Sequence, residues 1–225
     1  MGLDMYLDKY PRLGLTPDQI DSVQSFWEWE AYCAEHEDKK CTLAEWCGEY
    51  MARILPAEPI REILRQYYTT QYYAWDTEHK YPYQMLYEPV AYWRKANQIH
   101  NWFVENVQNG EDDCRCHDEV TEDKLLTLLN ICLDVKRNCP MIDGEVCDGQ
   151  TYKDGQWINI MKPGKVMQNA EYAADVLPSR SGFFFGGEDY DQYYMEDIDN
   201  TINQLTQILK ETNFETEIIY YCSSW

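Results

Sequence analysis

The first residues alternate: Leu3, Met5 and Leu7 fall on one side of an extended segment, Asp4 and Tyr6 on the other. That period of two predicts a short strand over 2–7. At the far end, Glu217-Ile-Ile-Tyr-Tyr-Cys222 is β-branched and aromatic and predicts another strand. Two terminal strands need partners for their backbone groups, and pairing with each other is the simplest solution.

Between them the spacing is mostly helical. Thr16-Pro17-Asp18-Gln19 combines a capping hydroxyl, a proline suited to the first turn and a glutamine at the reciprocal capping-box position. Ile20, Val23, Trp27, Ala31 and Ala34 follow at helical spacing. Thr42-Leu-Ala-Glu45 repeats the box and opens a helix carrying Trp46, Cys47, Tyr50, Met51 and Ile54 until Pro56 and Pro59 interrupt it. A further helical segment has Ile60, Ile63, Leu64 and Tyr67, followed by a tyrosine-rich stretch over 67–92. Residues 89–108 are predicted as one helix, because Trp93, Ala96, Ile99, Phe103, Val104 and Val107 share an apolar arc. His100 lies inside that arc, Asn97 at its edge, and Arg94 and Asn101 just beyond.

Val120-Thr121 opens a helix with Leu125, Leu128, Leu129 and Cys132 on one face. Residues 138–165 are rich in Gly, Pro, Asp and Asn and read as an insertion or a β-hairpin around Tyr152–Ile160. A short helix over 166–176 leads to Leu177-Pro178. Gly182-Phe-Phe-Phe-Gly186 reads as a buried aromatic turn or strand, and Tyr194, Ile198, Ile202, Leu205 and Leu209 mark the last helix. The expected fold is α+β and predominantly α-helical, with helices packed around a small sheet that pairs the N- and C-terminal strands. The expected organisation is a single domain over 1–225 with insertions at about 15–85 and 138–165.

Charge changes the functional picture. Forty acidic residues against 19 basic ones give a net charge of −21 at pH 7. That argues against direct binding to duplex nucleic acid, which requires Lys and Arg to displace counterions, and against anionic membranes. It permits the converse, an acidic surface that imitates nucleic acid in another protein's basic groove. No apolar run approaches the roughly 18–20 residues of a membrane span. The opening residues lack a basic and an apolar signal region, so a cytoplasmic setting is expected, with mostly free thiols among the nine cysteines. Cys33-x-x-His36 with Cys41 and Cys47, or Cys114-Arg-Cys116-His117 with Cys132, Cys139 or Cys147, could supply zinc ligands. Neither has paired CxxC spacing, and no metal or cofactor is assigned.

Several segments resemble an uncharacterised phage, prophage and bacterial protein family. They are Met1-Gly-Leu-Asp-Met-Tyr-Leu7, Val90-Ala-Tyr-Trp-Arg-Lys-Ala-Asn-Gln-Ile-His-Asn-Trp-Phe103, Val107-Gln-Asn-Gly-Glu-Asp-Asp-Cys114, Gly182-Phe-Phe-Phe-Gly186, Tyr190-Asp191, Tyr193-Tyr194 and Ser223-Ser-Trp225. The resemblance covers about half the chain; 15–85 and 138–165 depart from it. It implies a phage-related setting, the host-cell cytoplasm, and carries no reaction.

The densest polar set contains Arg94, Lys95, Asn97, His100, Asn101, Asp112 and Asp113. Arg94 can clamp a phosphate bidentately and Asn97 can read a base edge. Phe184, Tyr190 and Tyr194 can stack on a base. Each also has a structural reading: His100 as a partnered core histidine, Arg94 with Asp112 or Asp113 as an ion pair. No GxSxG, HExxH, Walker or GxGxxG motif appears, and no catalytic residue is assigned. The leading expectation is a non-enzymatic, phage-related protein that sequesters a small nucleotide-derived immune signal, with homo-oligomerisation open. The alternative is an acidic inhibitor of a basic host defence or DNA-binding protein. A third reading is a nucleotide-processing enzyme using His100.

Overall fold

The alternation at the N-terminus becomes strand β1 (Asp4–Pro11), with Leu3, Met5 and Leu7 fully buried. The computed structural model describes residues 2–36, 40–67, 69–71, 83–114 and 117–225. Along the chain follow α1 (Pro17–Glu35), α2 (Leu43–Cys47), α3 (Glu49–Ile54), α4 (Glu58–Leu64), β2 (Thr69–Gln71), β3 (Tyr83–Met85), β4 (Glu88–Arg94) and α5 (Asn97–Asn106). Then come β5 (Asp118–Glu119), α6 (Glu122–Asn138), β6 (Met141–Lys153), β7 (Gln156–Met167), α7 (Ala170–Val176), α8 (Gln192–Glu211) and β8 (Glu217–Ser224). The fold is mixed α+β. Its four-stranded sheet has the order β4-β1-β8-β5, so the terminal strands β1 and β8 pair as expected. Separate antiparallel pairs are formed by β2 with β3 and by β6 with β7. Tyr68, Tyr72, Tyr73, Tyr81 and Cys116 lie outside the described residues.

The chain divides into two compact units. One comprises Met1–Leu7, Val90–Phe214 and Tyr221–Trp225; the other comprises Asp8–Pro89 and Glu215–Tyr220.

In the second unit the Thr16 capping box closes in both directions: Gln19 N donates to the Thr16 hydroxyl at 3.3 Å, and Thr16 N donates to Gln19 Oε1 at 3.0 Å. The helix it starts buries Ile20, Val23 and Trp27. The helix expected from Thr42 to Ile54 is instead two. Gly48, at φ +88°, ends α2 and begins α3, a backbone turn that an L side chain resists. Arg61 and Arg65 lie over the rings of Phe26 and Trp27, at 4.4 and 5.0 Å. Asp8 is buried on β1, and desolvation together with Asp21 raises its pKa to about 7.

In the first unit the core is built around Trp93, Ile99, Phe103 and Tyr221. The Phe103 ring stacks on Tyr221 at 4.2 Å, and Trp93 Nε1 donates to the Thr201 hydroxyl at 2.9 Å. α6 begins at a Thr121 cap and packs its Leu125, Leu128, Cys132 and Val135 face against α8. The single helix expected over 89–108 is corrected. Residues 88–94 are a strand, and the helix starts only at Asn97. Strand alternation buries Ala91 and Trp93, and the next buried position, Ala96, then continues the helical face by coincidence of spacing. The region 138–165 forms a long hairpin, so β7 occupies the start of the helix expected over 166–176, which begins at Ala170.

The buried aromatic turn at 182–186 is also corrected. Phe185 is buried, but Phe183 is 82% and Phe184 51% exposed. One ring of the three suffices to anchor the loop.

Candidate functional site

The junction between β4 and α5 is a single residue in the left-handed region, Lys95 at φ +61°. Its N–H donates to Leu3 O at 2.8 Å, completing the strand pairing before the chain turns. Gly186, at φ +101°, packs against it; a Cβ there would meet Lys95 O at 3.0 Å. Phe184, two residues earlier, is a second non-glycine in the left-handed region, at φ +66°. Strain of this kind persists only where the surroundings impose it.

Asn97 provides that imposition. It is buried, and its Nδ2 donates to Gly187 O at 2.7 Å and to Phe185 O at 3.3 Å, while its Oδ1 accepts from Arg180 N at 2.9 Å. An amide offering two donors and one acceptor to three backbone groups fixes the 180–187 loop on the first turn of α5. Asn97 is therefore a buried brace. The expectation that it borders the cleft, free to read a base, is corrected.

Above this junction opens a cleft of about 610 Å³. Arg94, Lys95 and Gln98 come from the β4–α5 segment, Gly186, Gly187 and Asp189 from the loop, and Asp191, Tyr193, Tyr194, Glu196 and Asp197 from the start of α8. Cys147, Gly149, Gln150 and Asn159 come from the hairpin. The volume falls within the roughly 300–1,000 Å³ of small-molecule sites. Its lining holds two kinds of charge. Arg94 and Lys95 can meet an anion; the carboxylates can accept from hydroxyls or amines. Two carboxylates are perturbed. Burial raises the Asp197 pKa to about 6, although Gln98 Nε2 donates to it at 3.1 Å. Burial also raises the Asp191 pKa, against the N–H donors of Tyr193 and Tyr194 that it caps. Beside the cleft, a second hollow of about 320 Å³ is lined by Tyr190, Asp191 and Met161.

Of the residues singled out from sequence, Arg94, Lys95 and Tyr194 line the cleft, and Tyr190 lines the neighbouring hollow. Tyr194 OH donates to Leu177 O at 2.8 Å, which fixes its ring. The others lie elsewhere. His100 is fully buried, with Nδ1 2.7 Å from Tyr221 OH and Nε2 3.1 Å from Asp112 Oδ2. A carboxylate only accepts, so Nε2 carries the proton and Nδ1 receives the Tyr221 hydroxyl. Burial lowers the His100 pKa against the opposing pull of Asp112. Asp112 also pairs with Arg180 at 3.3 Å and accepts from Trp225 Nε1 at 3.1 Å. Arg94 thus has no part in the Asp112 pair; Arg180 fills that place. Asn101 accepts from Arg180 NH1 at 3.3 Å.

Asp113 stands apart with His117 and Asp118. The ligand atoms of these three residues lie within 4.8 Å of one another, and they are the group that could hold a metal ion among the described residues. The cysteines considered from sequence are not in it: Cys33, Cys41, Cys47, Cys114, Cys132, Cys139 and Cys147 are free, and Cys222 is disulfide-bonded.

Gln98, Asp189, Asp197, Gln150 and Asn159 were not legible as site residues. The first three are common surface types whose grouping depends on the α5–α8 contact, and the hairpin pair depends on register. Among the described residues no helix is long and apolar enough to cross a membrane. No protein-family model, curated protein or solved structure matches this chain.

Proposed function

We propose that the protein binds and sequesters a small nucleotide-derived ligand in the cleft beside Lys95, without transforming it. The observation that carries this reading is the paired Arg94 and Lys95 at the cleft, with Lys95 in a left-handed backbone conformation and Gly186 packed close against it. Two exposed cations beside a loop rich in glycine suit a phosphate. The carboxylates of Asp189, Glu196 and Asp197 suit the hydroxyl and amino donors of a nucleoside, as carboxylates accept from exocyclic amines elsewhere. Among the described residues the lining holds no histidine, and its cysteine, Cys147, has no imidazole base beside it, which favours binding over nucleophilic chemistry. With the phage-type resemblance, the ligand is a host immune signal and the role is counter-defence.

Native mass spectrometry after incubation with a panel of mononucleotides, linear dinucleotides and cyclic dinucleotides tests this. Retention of at least one class at one equivalent is expected. No adduct from any class would contradict it.

A further inference from the structure

The hairpin carries an aromatic pair that its own packing does not explain. Tyr152 and Trp157 are directly opposite in the β6–β7 register, their rings 5.3 Å apart at 63°. They are 62% and 67% exposed. The register also says which way they face. Cys147 is opposite Met161 and Gln150 is opposite Asn159, with the extra residue of a bulge between Cys147 and Gln150. That extra residue restores the phase, so Cys147, Gln150 and Tyr152 share one face with Asn159 and Trp157. Gln150 Nε2 donates to Asn159 Oδ1 at 2.9 Å, as same-face neighbours should.

The cleft uses this face. The hairpin residues lining it are Cys147, Gly149, Gln150 and Asn159, while Thr151, Ile158 and Ile160 are not in it; nearer the base of the hairpin, Lys162 of the opposite face lies 5.8 Å over the ring of Tyr193. The aromatic pair is the next rung outward, about 7 Å beyond the Gln150–Asn159 rung. The polar Gln150–Asn159 rung lines the cleft, and the aromatic rung follows it along the same face, outside the lining.

We infer that Tyr152 and Trp157 form a stacking subsite for a second planar base, so that the cleft takes a dinucleotide-class ligand in preference to a mononucleotide. The first nucleotide sits by Arg94 and Lys95, and the second reaches over Gln150 and Asn159 to the rings. Stacking on an exposed aromatic tolerates any base, so this subsite sets ligand size and leaves base identity open. The inference rests on the nucleotide-binding reading above.

The test is isothermal titration of the full chain with pApA, with AMP and with a cyclic dinucleotide, for the unaltered protein, Trp157→Ala, Trp157→Phe and Ile158→Ala. Trp157→Ala should weaken pApA binding roughly tenfold or more, the loss of one stacked base. AMP binding should be unchanged. Trp157→Phe should recover most of the pApA affinity, and Ile158→Ala, on the other face of the same strand, should leave it intact. An unchanged pApA affinity in Trp157→Ala overturns the subsite. So does an equal loss for AMP and pApA, or an equal effect of Ile158→Ala, because either means hairpin damage. Failure of AMP, pApA and a cyclic dinucleotide alike to bind the unaltered protein overturns the nucleotide reading itself, a result distinct from loss of the subsite, and failure of AMP and pApA with binding of the cyclic dinucleotide overturns the subsite for a linear ligand.

Discussion

At the scale of single residues, burial decides which aromatic and ionisable side chains matter for stability. Phe103 is fully buried, stacked on Tyr221 and in ring contact with Trp93 and Trp102. Phe103→Ala should cost about 3–5 kcal/mol in urea unfolding, the range for emptying a packed aromatic site. A loss under about 1 kcal/mol would mean that the surroundings collapse into the space. Asp8 gives a pH-dependent effect. Its folded pKa, raised to about 7 from an ordinary 3.8, means the folded state holds the proton more tightly than the unfolded chain. Its stabilising contribution is therefore present in acid and lost as pH rises towards 7. Asp8→Asn removes the charge and keeps the shape. It should raise the melting temperature most at pH 8, by less at pH 5, and leave it nearly unchanged only below about pH 4. His100, whose lowered pKa acts in the opposite direction below about 6.5, is common to both proteins and cancels in the difference. A difference constant from pH 5 to 8 would show that Asp8 is ionised throughout.

At the scale of elements, legibility followed how local the signal was. The capping boxes at Thr16 and Thr42, the cap at Thr121 and the apolar stripes of α6 and α8 are encoded within a few residues, and the helices begin where those signals stand. The β4 segment also fits a helix in sequence, because Trp93, Ala96, Ile99 and Phe103 are spaced as a helical face although the chain changes conformation at Lys95. Pro89 and the aromatic alternation after it were the local clues to a strand, since a proline fits the start of one. The exposure of Phe183 and Phe184 had no local signal; they lie between the points where Asn97 holds the loop backbone, Arg180 N on one side and Phe185 O and Gly187 O on the other. For the same reason Arg94 and Lys95 were legible as site residues, being adjacent cations in one segment, whereas Asp197 and Asn159 were not.

The junction itself can be tested at the level of its loop. Gly186→Ala places a Cβ 3.0 Å from the Lys95 carbonyl at a positive φ, and that backbone oxygen cannot yield. A loss of roughly 1–2 kcal/mol is expected from the left-handed conformation alone, together with weakened ligand binding. Gly187→Ala, with nothing within 4 Å of its Cβ, should be neutral in thermal melts. Equal effects at the two positions would remove Gly186 from its role as the brace of Lys95.

At the scale of the molecule, the charge of −21 and the cleft pull in different directions. An anionic ligand would meet a repulsive far field, and the proposed capture would depend on the local pair Arg94 and Lys95. A host protein with a basic groove would meet an attractive one. The acidic-mimic reading therefore makes its own prediction. A pull-down from host lysate should yield a basic partner at about 50 mM salt that is lost at about 500 mM, as screening shortens the reach of the charges. A partner that survives high salt would owe its binding to something other than charge imitation.

Arg94 lines the cleft, and its side chain also hydrogen-bonds Tyr92, so its assignment to ligand capture has to be separated from a part in the fold. Its side chain is exposed, and its place in the Asp112 ion pair is taken by Arg180. Calorimetric titration of the retained nucleotide against Arg94→Ala, paired with a thermal melt of the same sample, tests that assignment most directly. The melting temperature should stay within about 2 °C of the unaltered protein, as for a surface substitution of under about 0.5 kcal/mol, with no measurable binding. An Arg94→Ala protein that binds as before, or one that no longer folds, would contradict it.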